Sequence, residues 1–345
     1  MISKGRRLVT HFNHSGLAQE NLLAIQKKLS LPEHQLVQDI STRWNSTFYM
    51  SERLLEQKRA ISLYVADYDT LTNLTTHERC LMEQCVKLLK PFEEITKITS
   101  AGLSCISEVI PQLTALKKYL CKDETAQRTA DLPHMRAALK SELNSRFSLL
   151  STDLNYLIVT FLDPRFKTNY LRILEAERAR QKILLEFLKM TCDESSSSSD
   201  TSPSSTPPPS KKSRNKTDSN VTRDSHDTFW DCFNEIAHEN NSQSHQSQNQ
   251  AKNPITREID GYLKTVRIDH NWDPYAWWSA NLQEYPNLMK FAKVYLSAPC
   301  SSVFSERLFS EAGFVYENKR NRLLPANAKN LVLVHHNLPL LNFDY

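Results

Sequence analysis

The stretch SSVFSERLFSEAG at residues 301–313 decides how the rest of the sequence is interpreted. Its helical spacing gathers the apolar side chains on one face, namely Phe304, Leu308 and Ala312. A second face carries Glu306 among the small residues Ser302, Ser310 and Gly313. The pattern predicts a helix that ends with Gly313 at C′, where glycine is favoured. A carboxylate with clear space around it suits a metal ligand approached by a nucleic-acid backbone. A glutamate in solvent is the simpler interpretation, and this stretch alone favours it.

Outward from this helix, proline marks the starts of further helices. Downstream, Pro325 begins the last predicted helix, whose apolar stripe consists of Leu331, Val334 and Leu338. Upstream, Asp273 and Pro274 form an N-cap and N1 pair in front of a helix that contains two adjacent tryptophans. Residues 287–296 carry a further apolar face. The C-terminal quarter of the chain is therefore predicted to be helical throughout.

Residues 17–190 predict a succession of helices. Two stripes have helical spacing, one of Ala18, Leu22, Ile25 and Leu29, and one of Met50, Leu54, Ile61 and Val65. Thr75 and Glu78 form a capping box at the start of another helix. Pro111 and Pro133 each begin one more. The single predicted strand is QLVQDI, residues 35–40.

Composition excludes several classes of protein. Only five of the 345 residues are glycine and none forms a GxG, which argues against glycine-rich phosphate loops and favours a mainly α fold. The net charge of +4 leaves any nucleic-acid contact to local patches. The seven cysteines are scattered without metal-site spacing, so we expect reduced thiols in an intracellular protein. No apolar run approaches the length of about 18 residues that a membrane-spanning helix needs.

Two polar tracts interrupt the chain at residues 193–219 and 240–253, and both are predicted to be disordered. Between them, residues 226–239 predict a short amphipathic helix with Phe229, Trp230, Phe233 and Ile236 at helical spacing. Docking of this helix onto its own domain is the favoured interpretation, and binding of a partner is the alternative. The first tract also contains a candidate nuclear-import patch: Lys211, Lys212, Arg214 and Lys216.

Arg43 and Trp44 lie where the predicted strand passes into a helix. A guanidinium beside an indole can hold a phosphate while the ring stacks on an unpaired base. Taken alone, the pair is better explained as a buried tryptophan next to a helix-capping Asn or Ser. A further basic group could contact phosphate or lie in a solvated loop, and it comprises Lys319, Arg320 and Arg322.

Four motifs resemble, in order, the C-terminal half of hAT-superfamily transposases, and most closely the domesticated zinc finger BED domain-containing proteins. They are TRWNSTFYMSERLLEQKRAI, FLDPRFK, DPYAWWSANLQEYPNLMKFAKVYLSAPCSSVFSERLFSEAG and KRNRLLPANAKNLVLVHHNL. The resemblance implies an RNase H-like core that is interrupted by a large helical insertion. In this core, two aspartates and one glutamate are implied to hold two metals. Glu306 matches the glutamate. Arg43 and Trp44 match an Arg-Trp pair implied to stack on a flipped base.

The resemblance and the residues together give the expected organisation. Residues 1–45 are expected to be a one-strand remnant of the RNase H-like core, 46–192 the helical insertion, 193–255 the polar linker, and 256–345 the dimerisation region. Because the family's two aspartates and its BED finger are expected to lie before residue 1, the chain is expected to be an incomplete gene product or a domesticated remnant. Asp39 and Asp163 match neither family aspartate, and Asp163 with Pro164 predicts a turn or a helix start.

These features predict a non-catalytic, transposase-derived nuclear protein with DNA as a candidate partner in transcriptional control. It is expected to form a homodimer or higher oligomer through Leu308, Phe309, Leu331, Val334 and Leu338. No metal, other cofactor, small-molecule substrate or membrane partner is expected. The alternatives are the C-terminal part of an active DNA transposase and a helical scaffold that binds partners through Phe229, Trp230 and Phe233.

Overall fold

The computed structural model describes residues 1–67, 71–101, 104–194, 229–232, 235–236, 253–315 and 324–338. Within these ranges the chain is mainly α-helical, as predicted, and contains no strand, only an isolated bridge between Cys105 and Pro299. The helices are α1 Ile2–His14, α2 Gly16–Lys28, α3 Trp44–Glu56, α4 Lys58–Ala66, α5 Thr76–Thr99, α6 Val109–Cys121, α7 Asp123–Arg128, α8 Pro133–Arg146, α9 Leu154–Leu162, α10 Ile173–Glu194, α11 Pro254–Lys264, α12 Pro274–Ala280, α13 Pro286–Tyr295, α14 Val303–Val315 and α15 Pro325–Asn337.

The strand predicted at residues 35–40 is wrong, and so is the expectation that residues 1–45 hold one strand. This segment is an irregular connection after α1 and α2. Backbone polar groups in and just before residues 35–40 bond to helix side chains instead of a neighbouring strand. Arg53 donates to the Gln35 carbonyl, Ser46 accepts the Ile40 N–H, and Gln26 donates to the carbonyl of the preceding His34. Backbone groups satisfied in this way need no strand ladder.

The chain forms two compact units. The first unit comprises residues 1–95, 112–149 and 201–239. Its apolar core joins α1, α2, α3, α4 and the first turns of α5, through buried side chains such as Leu8, Phe12, Leu22, Met50 and Met82. Gly5 on α1 allows close approach to α3, because a Cβ at this position would lie 2.9 Å from the Leu54 side chain.

The stripe predicted through Met50 and Val65 is divided between two helices. Gln57 lies between α3 and α4, is fully buried, and accepts a hydrogen bond of 3.1 Å from the Gln26 side-chain amide. It also donates to the Pro32 carbonyl at 3.0 Å. A buried amide must find polar partners. Gln26 and the Pro32 carbonyl provide them where the chain passes from α3 to α4.

The second unit comprises residues 96–111, 150–200 and 240–345, and its core surrounds α9. The α9 sequence LNYLIVTFL is almost wholly apolar, and six of its nine residues are buried. Two aromatic side chains bond the carbonyls at its C-terminal end: the Tyr262 hydroxyl donates to Phe161 O and the Trp278 indole donates to Leu162 O, both at 3.0 Å. These carbonyls have no partner within the helix. Side chains of α11 and α12 therefore supply the hydrogen-bond donors that the end of α9 lacks.

The C-terminal helices confirm most of the predicted boundaries. Asp273 caps α12 by accepting the Tyr275 N–H at 2.8 Å, and Pro274 and Pro325 each occupy the first turn of a helix. The predicted end of α14 at Gly313 is wrong, because the helix continues to Val315. No glycine that the structure describes has positive φ, so Gly313 does not adopt the left-handed C′ conformation.

Part of the predicted linker helix is described, at residues 229–232 and 235–236, and it belongs to the first unit. Phe229, Cys232 and Ile236 are buried and Trp230 is half-buried. This confirms the favoured interpretation that the segment docks on its own domain. Phe233 and almost all of both polar tracts lie outside the described residues, apart from Asp193 and Glu194, which end α10, and Asn253, which precedes α11.

The capping box at the start of α5 contains a carboxylate, Glu78, whose contribution to stability should depend on pH. Thr75 and Glu78 exchange the predicted bonds, and Lys4 on α1 donates to the Glu78 carboxylate at 3.0 Å. The Lys4 hydrogen bond, followed by that from the Thr75 backbone, lowers the pKa of Glu78 to about 2. The unfolded chain therefore takes up this proton first, near pH 4.3.

We expect the stability advantage of the parent over Glu78→Gln to be complete above about pH 4.5 and to vanish as the pH falls towards 2. Glutamine keeps the capping geometry and removes only the charge. Urea unfolding at a series of pH values measures the difference. In a Lys4→Met background the difference should shrink, and a difference independent of pH would contradict the assignment.

Candidate functional site

Arg43 and Trp44 are exposed at the start of α3, where Arg43 is the N-cap residue and Trp44 the first helical residue. The indole is 43% exposed and meets the Phe48 ring edge to face, with ring centroids 6.4 Å apart. The interpretation of Trp44 as a buried core residue is therefore wrong. The Ser46 hydroxyl fixes the turn by donating to the Arg43 carbonyl at 2.6 Å. An open indole on a supported helix end, beside a guanidinium, can stack on an unpaired base.

Glu306 lies on the solvent side of α14. The predicted faces are confirmed: Phe304, Leu308 and Ala312 are half-buried, and Ser302, Glu306, Ser310 and Gly313 are exposed. The Glu306 carboxylate accepts a hydrogen bond of 2.8 Å from the Ser302 hydroxyl, one turn earlier. Ser310 donates back to the Glu306 carbonyl at 2.9 Å. The carboxylate is thus bonded to the residue that immediately precedes its helix.

A two-metal centre requires several ligands in one place. In the part of the chain that the structure describes, no three His, Cys, Asp or Glu side chains converge in a way that could hold a metal ion. Asp39 is instead bound by Arg6, which lies 2.7 Å away and whose hydrogen bond lowers the pKa of Asp39. The described residues do not fit the two-metal centre implied by the resemblance, and no catalytic step follows from them.

Asp163, the other carboxylate considered as a ligand, lies in a buried turn at the end of α9, and this confirms the predicted turn at Asp163 and Pro164. It accepts hydrogen bonds from the Ser107 hydroxyl at 2.6 Å and from the Arg165 guanidinium at 2.8 Å. The same guanidinium pairs with Glu108 at 3.0 Å. Burial raises the pKa of Glu108, and the Arg165 charge opposes that shift. The Arg165 guanidinium thus provides a cation for two buried carboxyl groups.

Lys167 is the last residue of the FLDPRFK motif, and its side chain contacts the C-terminal end of α11. It has a positive φ of 51°, and its ammonium donates to Tyr262 O and the Thr265 hydroxyl, both at 2.8 Å, and to Thr265 O. The ammonium also lies 4.9 Å from the centre of the Tyr262 ring. Burial lowers the pKa of Lys167 to about 8. A cation at a helix C-terminus stabilises carbonyls that lack partners, so FLDPRFK is a structural motif.

The apolar residues predicted for self-association lie on α14 and α15, apart from Leu338, which directly follows α15. Phe309 is 74% exposed, Val334 50% and Leu331 47%, whereas Leu308 and Leu338 are half-buried. The sequence interpretation missed Leu324 and Leu333, which are also exposed. Ala328 is buried between these helices. Several large apolar side chains in solvent on neighbouring helices mark an interaction surface, here called the α14–α15 surface.

Other candidate residues lie outside the described ranges. They are the import patch Lys211, Lys212, Arg214 and Lys216, and the basic group Lys319, Arg320 and Arg322. The cysteines whose side chains are described, all except Cys192, are free thiols. Among the described helices, none has the length and apolarity to cross a membrane.

Comparison with known proteins adds two regional matches. Residues 258–338 match the hAT family C-terminal dimerisation region, and residues 1–88 match the ZBED1 RNase-like helical domain. The first range contains α12, α13, α14 and α15, and the second contains Arg43 and Trp44.

Three relatives illustrate the range of similar proteins. Human zinc finger BED domain-containing protein 4 is 28% identical over the whole of this chain and 28% of its own length. Human zinc finger BED domain-containing protein 6 is 26% identical over the whole chain and 36% of its length. The putative AC transposase of Zea mays is 25% identical over 93% of the chain and 39% of its length. The chain thus spans about a third of these relatives.

Together, the two regional matches and these relatives show that the chain is of the class related to hAT transposases and contains a region similar to their C-terminal dimerisation region. Within that class the chain is a protein like the zinc finger BED domain-containing proteins.

The buried ion cluster predicts unequal effects for two arginines of one segment. Arg165→Met leaves Asp163 and Glu108 without their cation, and we expect a loss of about 3–5 kcal/mol in the free energy of unfolding. Arg172→Met removes a guanidinium that is 77% exposed and pairs with Glu175, so we expect a much smaller loss. Urea unfolding followed by tryptophan fluorescence measures both. Equal losses would contradict a structural role specific to Arg165.

Proposed function

We propose that this chain is a non-catalytic, self-associating nuclear protein that contacts DNA. The observation that carries the proposal is the α14–α15 surface, which presents Phe309, Leu331 and Val334 to solvent within the residues matched by the hAT dimerisation region. A pair of identical surfaces meeting across a twofold axis would remove these side chains from water. Fully burying one such side chain contributes about 1.5–3 kcal/mol.

The distribution of the exposed side chains supports an extensive interface. Leu331 and Val334 are three residues apart and share one face of α15, whereas Leu333 lies on another face and is 54% exposed. Phe309 adds an aromatic ring from α14, which packs against α15. Large rings in the centre of an interface commonly contribute most of its binding energy. Contact on several sides is what an intertwined pair of copies would provide.

The proposal of a non-catalytic role is supported by how the carboxylates are used. Glu306 accepts a hydrogen bond from Ser302, which immediately precedes its helix, and Asp163 and Asp39 are each bound by arginine. Each carboxylate therefore has a structural partner. The second candidate is that the chain is part of an active transposase, which the similarity to the maize protein named as a transposase favours. The two candidates differ in whether Glu306 is needed for cleavage of DNA.

DNA contact is proposed for the N-terminal end of α3. Trp44 is the exposed tryptophan of the first unit, and Arg43 next to it is also exposed. A stack between an indole and a base contributes about 1–3 kcal/mol, and the arginine adds a phosphate contact. Nuclear location and transcriptional control are proposed with DNA as the partner.

Reversing the chemistry of the α14–α15 surface should separate the copies. We expect the parent to have twice the 39.8 kDa chain mass at micromolar concentration, and a Leu331→Asp, Val334→Asp double variant to be a folded monomer. Four buried carboxylates in a twofold interface should raise the dissociation constant at least 100-fold. Light scattering over a concentration series measures the masses.

A Leu174→Asp, Leu185→Asp double variant is the matched control, because these leucines of α10 are 78% and 56% exposed. It should remain a dimer. A parent that is monomeric at tens of micromolar, or an aspartate variant of α15 that remains a dimer, would overturn self-association through this surface.

Replacement of the exposed indole should weaken DNA binding. We expect Trp44→Ala to lower the affinity for a duplex with single-stranded ends by about 5–100-fold, because one stacked base is lost. Trp272→Ala is the matched control, since Trp272 is 66% exposed but belongs to the second unit. Fluorescence anisotropy at fixed salt gives both affinities. Equal affinities for the parent and Trp44→Ala would contradict the contact.

The same DNA, incubated with Mg²⁺, separates the two candidate functions. The non-catalytic proposal expects the strands to remain intact with the parent and with Glu306→Gln. Cleavage by the parent that Glu306→Gln abolishes would establish the transposase alternative.

A further inference from the structure

The described residues of 226–239 form a short helix that is held on the first unit between two stretches of very polar sequence. Phe229 and Cys232 have no exposed surface, and Ile236 is 7% exposed. The neighbouring ring of Trp230 meets Phe229 edge to face, with centroids 5.2 Å apart. The sequence on both sides is rich in Ser, Pro, Asn and Gln, which cannot bury an apolar surface. The apolar side chains are therefore confined to this short segment.

A pair of lysines recognises the acidic residue of the segment. Lys118 on α6 and Lys122, which precedes α7, lie 3.1 Å and 3.0 Å from the two carboxylate oxygens of Glu235. The Lys122 hydrogen bond lowers the pKa of Glu235, so the carboxylate is ionised at neutral pH. The two lysines and the carboxylate fix the direction in which the segment lies. Apolar burial supplies attraction, and the ion pairs supply orientation.

The arrangement has the form of a peptide-recognition site. Buried residues at i, i+3 and i+7, with a carboxylate at i+6, are typical of an amphipathic helix bound to a protein surface. A helix of this length is marginal in water, so the segment gains its structure from the surface it contacts. Its tether keeps it near that surface at an effective concentration of up to about 1 mM. A weak contact is sufficient for docking under these conditions.

We propose that the junction of α6 and α7 is a binding site for short amphipathic helices that carry a carboxylate, and that residues 229–236 are its reversible occupant in the intact chain. The occupant is identified by charge complementarity with Lys118 and Lys122 and by its seat in the structure. Undocking opens the site and exposes Phe229 and Cys232. Partner binding through the apolar face of this segment would then require its release.

Cys232 reports the docked state, because its thiol is buried only while the segment is seated. Alkylation of the intact chain with iodoacetamide, followed by peptide mass spectrometry, gives the rate at each cysteine. We expect Cys232 to react at least tenfold more slowly than Cys80, which is exposed. A competing peptide of residues 226–239 with Cys232→Ser should accelerate the reaction of Cys232 in proportion to its concentration, because peptide in the open site prevents re-docking.

The same peptide with Phe229→Asp and Ile236→Asp is the control and should have no effect. Equal rates at Cys232 and Cys80 would overturn docking. A protected Cys232 whose rate does not respond to the competing peptide would overturn reversible occupancy and make the segment a permanent part of the core.

A charge exchange tests the ion pairs, and the triple variant is the decisive comparison because Lys122 also interacts with the Cys232 thiol. Lys118→Glu with Lys122→Glu should raise the Cys232 alkylation rate at least tenfold, and adding Glu235→Lys should restore protection. Lys117→Glu on the same helix is the control and should leave the rate unchanged. Circular dichroism verifies that each variant retains its helices. Failure of Glu235→Lys to restore protection in a folded triple variant would overturn recognition of the carboxylate by the lysines.

Discussion

The carbonyl groups at the end of α9 impose the main constraint on the second unit. An apolar helix buried on all sides ends with carbonyls that water cannot reach, and each must find a donor inside the protein. Tyr262 and Trp278 provide these donors for Phe161 and Leu162. The positions of α11 and α12 follow, because both aromatic side chains must reach one helix end. Lys167 then caps the end of α11 and closes the arrangement.

Charge is used differently in the core and at the surface of this protein. Inside, the Arg165 guanidinium contacts Asp163 and Glu108, so one cation faces two carboxyl groups in a buried cluster. At the surface, Glu235 meets Lys118 and Lys122 around a segment with a small apolar face. The first arrangement cannot be opened without stranding a charge. The second exchanges protein contacts for water at low cost, which suits a reversible contact.

Sequence reasoning failed where backbone groups were satisfied by side chains. Residues 35–40 have the composition of a strand, yet Arg53 bonds the Gln35 carbonyl and Ser46 accepts the Ile40 N–H. Helix α9 was not identified individually, because six consecutive buried residues, 157–162, show no amphipathic periodicity to detect. Taken alone, Trp44 was better explained as a buried tryptophan, but in the structure its indole is 43% exposed and meets the Phe48 ring edge to face.

The sequence by itself determined the mainly helical fold, the capping box at Thr75 and Glu78, the faces of α14, and the resemblance to hAT-derived proteins, because each depends on local spacing. Only the tertiary structure decided which charges are buried, which apolar residues remain in solvent, and where the segment around Phe229 docks. Those properties depend on residues far apart in the chain: Asp163 and Ser107 are 56 positions apart, and Glu235 and Lys122 are 113 apart. No local pattern contains such pairings.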